Sequence, residues 1–262
     1  MQKIKMILSL ALLGSFITTF GQTNEEILKQ ADEARFIKAD SHSFKIHIVS
    51  EKFDESTRST TKSEAFLLAE NKKISRDFRQ RISFTAPDSL KGTYYLIVGD
   101  DIFFWQPNLK TPGKEVPCKD EALKMSGQQG LFGDVSVGEA AGIEFEGKYN
   151  VKQRAEDKLN GKETVKLVLV AKSPKSSYQN VILWVDKKKL EPQRIDLFGL
   201  DPETPIKRVT YPKYDTFKDD RYASQVIVED LLFKNQKTSL ELSEIKVESL
   251  PDAAFDPNTF CK

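Results

Sequence analysis

Cysteine and histidine are scarce in this 262-residue chain, which has 2 of each: His42, His47, Cys118 and Cys261. None of the four stands at the ligand spacing that zinc or another transition metal needs, so the sequence holds no metal motif. A G-x-S-x-G elbow, a local Cys–His constellation and a glycine-rich phosphate loop are missing as well. Nucleophilic catalysis and nucleotide chemistry therefore have no carrier. Charge of one sign is also lacking: 40 basic and 39 acidic residues leave a net charge of +1. That balance offers no bulk attraction for nucleic acid. Internal repeats and low-complexity runs are absent, and beyond the N-terminus no apolar run approaches membrane-spanning length. Together these absences point away from an enzyme, a metalloprotein and a nucleic-acid binder, and no cofactor is expected.

What is present is enough apolar material, 39% of residues, for a real core in one domain, and 30% charged residues for a well-solvated exterior. Residues 1–21 read as a secretory signal. Lys3 and Lys5 form the basic start, residues 6–17 the apolar run, and Thr19 and Gly21 the small residues suited to cleavage before Gln22. An uncleaved N-terminal anchor is the alternative. No Cys follows the apolar run, so the mature protein, residues 22–262, is expected to be soluble and not acylated.

Thr23 is placed as an N-cap with Glu26 completing a capping box. Ile27, Leu28, Ala31 and Ala34 follow at helical spacing. From Ser43 the period changes to two, with Phe44, Ile46 and Ile48 alternating with Lys45, His47 and Val49. Residues 63–68 and 74–84 continue as strands. The second carries Arg76, Arg79 and Arg81, a solvated strand face or a contact for an anionic head group. Residues 108–147 are loop-like, with a helical turn expected near 121–125 and a short helix over 134–141 with Ser136 and Glu139 as a second capping box. A long insertion of this kind serves as a lid or lines a cavity. Glu144 and Glu146 alternate with Ile143 and Phe145 in the manner of a strand edge. Strands then follow at 149–158, 164–171, 181–185, 194–198, 206–211, 225–232 and 239–247, the first two joined by Asn160-Gly161. About eleven strands with short turns mean an antiparallel sheet that must curl or close to manage its edges.

The stretch KGTYYLIVGDDIFFWQPN, residues 91–108, is the sharpest signal. β-branched and aromatic residues flank Gly99-Asp100-Asp101 as a hairpin, and Pro107 ends the second strand. Both faces of that strand are apolar, Ile102 and Phe104 on one side, Phe103 and Trp105 on the other. Packing needs only one, so the other has something else to cover, and one of the two is expected to line a cavity.

Phe84-Thr85-Ala86-Pro87, then Lys91-Gly92, then Leu96-Ile97-Val98-Gly99-Asp100, then the aromatic strand ending at Pro107, resemble in this order the LolA-like outer-membrane lipoprotein-sorting family. The likeness extends through a loop helix and the Trp184-Val185-Asp186-Lys187 hairpin to Phe260, over most of the mature chain. The family's Gly-x-Asp loop is met only by Gly133-Asp134, with no residue between. No segment matches the family's functional arginine or its membrane-contacting loop, and neither is carried over. The resemblance implies a strongly curved antiparallel sheet, an open or half β-barrel, with helices covering its concave face. It also implies a soluble periplasmic carrier for lipoprotein acyl chains or other lipids, serving lipoprotein sorting between an inner-membrane transporter and an outer-membrane acceptor. A lipid-sensing regulatory domain that binds an envelope protein is the alternative. Leu96, Val98, Phe103, Trp105 and Trp184 are the candidates to line the lipid cavity, with core packing the competing role for each. In an exported chain Cys118 and Cys261 can form a disulfide or remain free or buried thiols.

Overall fold

The computed structural model describes residues 22–75, 77–106, 123–174, 176–199, 201–232 and 235–261, with backbone alone for 123–125. The expected signal at 1–21 and the positions of Arg76, Pro107 and Cys118 lie outside these. Alternating apolar residues make strands here because period two places one set of side chains on one face. The chain forms two antiparallel meanders. The first comprises β1 Ser41–Asp54, β2 Ser59–Ile74, β3 Asp77–Ala86, β4 Tyr94–Val98, β5 Asp101–Trp105 and β6 Leu123–Met125. A second, smaller sheet follows, β7 Gly130–Phe132 with β8 Val135–Ser136. The second meander comprises β9 Tyr149–Leu159, β10 Lys162–Ala171, β11 Asn180–Asp186, β12 Pro192–Phe198, β13 Pro205–Phe217, β14 Asp220–Asp230 and β15 Gln236–Val247. β1 pairs with β15, which joins the meanders into one 13-stranded sheet running from β6 to β9. The edges β6 and β9 do not pair, so the sheet curves without closing into a barrel.

The first helix, α1 at Asn24–Glu33, starts at the Thr23/Glu26 capping box. The second, α2 at Val137–Ala141, starts at the Ser136/Glu139 box. Among the described residues no helix is long and apolar enough to cross a membrane. Ile27, Leu28 and Ala31 of α1, and Leu131, Val135, Val137 and Phe145 of the connecting segment, are buried in one cluster. The same cluster contains Ile46 and Ile48 of β1, Leu67 of β2, Leu167 of β10, Leu183 of β11 and Leu197 of β12. One face of nearly the whole sheet therefore meets α1 and residues 131–145, and that face is concave.

Two local expectations change. Residues 123–125 pair as β6 with β5 instead of turning helically, because the unpaired edge of β5 offers its ladder. Glu144 and Glu146 sit in a turn between α2 and β9, not on a strand edge, since the backbone there is drawn to Asp32.

Candidate functional site

Where α1 ends, the described residues leave part of the concave face uncovered, as a groove of about 770 Å³, within the usual size of small-molecule sites. Its floor is Phe44 and Ile46 of β1, Ile97 of β4, Val226 of β14, and Leu240 and Leu242 of β15. Residues 32–38 form one wall, including Phe36 and Ile37, and residues 139–148 the other. At one end the floor turns polar, with His42, Asn71 and Gln80.

The two walls are fastened together by a buried ion pair. Arg35 lies at the end of α1 with Asp32 one turn before it, and their side chains meet at 2.5 Å. The Asp32 carboxylate accepts the backbone N–H of Phe145 at 2.9 Å and of Glu146 at 2.7 Å. Arg35 donates to the Ile143 carbonyl and, at 3.1 Å, to the Tyr211 hydroxyl on β13. Its guanidinium also lies over the rings of Phe36 and Phe145, at 4.8 and 4.7 Å from their centroids. Burial opposes the Arg35 charge, yet Tyr211 and Asp32 outweigh it and leave the pKa raised. Burial raises the Asp32 carboxyl too, with Arg35 and the two N–H groups offsetting only part.

Farther along, the β8–α2 segment is held to the sheet by polar contacts. Lys207 of β13 donates to the Asp134 carbonyl at 2.6 Å and pairs with Glu139 at 3.1 Å. Tyr178 donates to the same oxygen of Glu139, and Thr238 of β15 accepts the Asp134 N–H at 2.9 Å. Asp134 has its carboxyl pushed up to about 6 by burial, then by Asp230 and Glu139, against the pull of Lys207.

None of the five expected lining residues borders the groove. Strand alternation puts Leu96, Val98, Phe103 and Trp105 on the convex face, where they pack with Leu250, Ala254, Phe255 and Phe260 of the C-terminal tail. The second apolar face of the hairpin thus covers the chain's own tail, and Ile102 and Phe104 turn to the concave core. Trp184 is convex as well. Its indole N–H donates to Asp157 at 2.9 Å, with the Arg194 guanidinium 4.0 Å above the ring. Arg81 pairs with Glu70 on the convex face, and Arg79, which also borders the groove, reaches the Phe255 carbonyl. Cys261 is disulfide-bonded at the end of the tail; its expected partner Cys118 lies outside the described residues. Among the described residues no three His, Cys, Asp or Glu side chains gather as a metal site. The sequence reading missed the Asp32–Arg35 pair and the His42–Asn71–Gln80 row. The only signal for the first was i,i+3 spacing of opposite charges at a helix end.

A family model described as an uncharacterized protein matches residues 77–261. Solved structures share the architecture. A LolA superfamily protein from Nitrosomonas europaea superposes with a TM-score of 0.75 at 23% identity, over 90% of this chain and 98% of its own. A domain from Vibrio parahaemolyticus, described as an outer membrane lipoprotein-sorting protein domain, gives 0.72 at 17% identity over 91% and 98%. A DUF1329 family protein from Desulfovibrio piger gives 0.69 at 15% over 88% and 95%. At these identities the likeness establishes the fold. A comparison with curated proteins returns no match.

Proposed function

The chain belongs to the family whose model spans its residues 77–261 and has the LolA-like fold, and from that premise we propose that it is a carrier of acyl chains in the bacterial envelope. The observation that carries this reading is the open groove with an apolar floor on the concave face. Each methylene buried there contributes about 0.8 kcal/mol, so a chain of ordinary length is held firmly yet reversibly. A half-open sheet, unlike a closed barrel, lets a chain enter sideways between the walls at 32–38 and 139–148. The Asp32–Arg35 fastening joins those walls, so its making and breaking would gate entry. Residues 1–21 fit export, and the periplasm is the compartment in which such a carrier would work. Lipoprotein acyl chains, received from an inner-membrane transporter and passed to an outer-membrane acceptor, are the cargo we favour. The protein binds and does no chemistry of its own.

Solvent extraction of the purified protein followed by mass spectrometry tests this, together with binding of an uncharged fluorescent probe. Acyl-bearing species and saturable probe binding are the expected results. A protein that yields no lipid, binds no probe and instead holds a stable envelope protein would overturn the carrier reading in favour of a regulatory domain.

A further inference from the structure

We infer that the groove seats an amphiphile with an uncharged, hydrogen-bond-donating head on the row His42–Asn71–Gln80, its chain lying along Phe44 and Ile46. The inference rests on the acyl-chain reading above and adds the class of head group. The row is built by strand register. His42 of β1 faces Asn71 of β2, Asn71 faces Gln80 of β3, and Gln80 faces Ile97 of β4. All four line the groove. The next row on the same face, Phe44–Ala69–Ile82–Tyr95, is apolar, as are Ile46 and Leu67 beyond it. Polarity therefore changes in one two-residue step, about 7 Å along the strands. A bound molecule meets the same change along its length.

The row offers acceptors. His42 is buried, and its Nδ1 sits 2.8 Å from the Ala39 carbonyl, which fixes the ring proton there. Nε2 is then a lone pair, and the Asn71 side-chain NH₂ donates to it at 3.2 Å. Burial lowers the imidazole pKa, which keeps the ring in this neutral form. With its amide N–H₂ turned to His42, Asn71 has its carbonyl oxygen left as an acceptor. Gln80 Oε1 is buried and has no hydrogen-bond partner among the described residues. Such an oxygen is satisfied by a hydroxyl or an amide N–H and repelled by a carboxylate or phosphate.

The surrounding charges exclude an anionic head for a second reason. Eight carboxylate and five cationic residues line the groove. Each cation is already engaged: Arg35 with Asp32, Lys38 with Glu33, Lys73 with Asp40, Lys148 with Asp100 and Glu144, and Arg79 with the Phe255 carbonyl. An ammonium head at the row would be desolvated beside amide oxygens and a neutral imidazole, with no carboxylate in the row itself to neutralise it.

The test uses delipidated mature protein and displacement of the uncharged probe by five ligands that share an 18-carbon cis-9 unsaturated chain. Monooleoylglycerol and oleamide should compete about tenfold better than oleate, oleylamine or methyl oleate, the last being neutral but without a donor. Gln80→Leu should reduce that preference below about twofold, read as the ratio of competitor affinities measured on the variant itself so that any change in probe affinity cancels. Equal competition by all five, a preference for oleate or oleylamine, or an unchanged preference in Gln80→Leu would overturn the head-group assignment alone. Failure of the probe and of every ligand to bind would overturn the carrier reading and this inference with it.

Discussion

Gly133 turns the chain between β7 and β8 with φ of +57°, and a Cβ there would lie 2.4 Å from Thr238 Oγ1 and 2.5 Å from Ser50 Oγ. Both oxygens sit on short side chains of the sheet, so neither swings away cheaply. Gly161, in the Asn160-Gly161 turn, has φ of +79° but no atom within 4 Å of a Cβ. Alanine at either site meets backbone strain of about 1–2 kcal/mol, and at Gly133 overpacking adds about 1–3 kcal/mol. Urea midpoints should therefore fall further for Gly133→Ala than for Gly161→Ala. Next to it, Asp134 is a titrating contact between cover and sheet. Its carboxyl, at about 6 against an ordinary 3.8, binds its proton more tightly folded than unfolded. The stabilisation is complete below the unfolded value and is lost as pH rises through about 6. Asp134→Asn keeps the neutral form at every pH, so relative to the native protein it should gain stability at pH 7.5 and lose that advantage near pH 4. The capping boxes at Thr23 and Ser136 were legible as sequence because they close within four residues. Gly133 and Asp134 were not, since what they meet on β1, β13 and β15 lies far away along the chain.

The β4–β5 hairpin was legible in its bounds, its turn at Gly99 and its two apolar faces. Alternation defines two faces but not which one is concave; that follows from pairing with strands remote in sequence. The cover of the convex face was hidden for the same reason. It comes from residues 250–260, whose Phe255 and Phe260 are fully buried against Leu96 and its neighbours. Nothing in the hairpin's own residues announces so distant a partner. The assignment of faces makes a sharp comparison possible. Leu96 is fully buried on the convex side, and Leu96→Ala should cost about 2–5 kcal/mol with probe affinity unchanged. Leu242 is half-buried in the groove floor, so Leu242→Ala should cost less stability and weaken the probe instead. Chemical denaturation and probe titration of the two variants separate these outcomes; weakened binding in Leu96→Ala alone would reverse the faces.

An open sheet of 13 strands gains a groove that can admit a chain from the side, and in exchange it keeps two edges with no partner strand among the described residues. β6 is only 3 residues long, too short to template another strand. β9 has 11 residues and is the exposed liability. Its middle carries charge on the side where an apolar residue would ordinarily face inward: Arg154 stands opposite Leu167 and Glu156 opposite Val165, both of which belong to the concave core. Arg154 donates to the Gln22 carbonyl at 2.7 Å and Glu156 pairs with Lys187 at 2.5 Å, and both remain exposed. Two charges in those places make the edge costly to dock against a second copy, because pairing would desolvate them. Replacing both, as Arg154→Val with Glu156→Val, leaves an alternating apolar edge of the kind that adds strands from other chains. Sedimentation velocity across a concentration series should then show association that grows with concentration in the double variant beyond that of the native chain. Equal behaviour of the two proteins would mean that the edge is protected by something other than its inward charges.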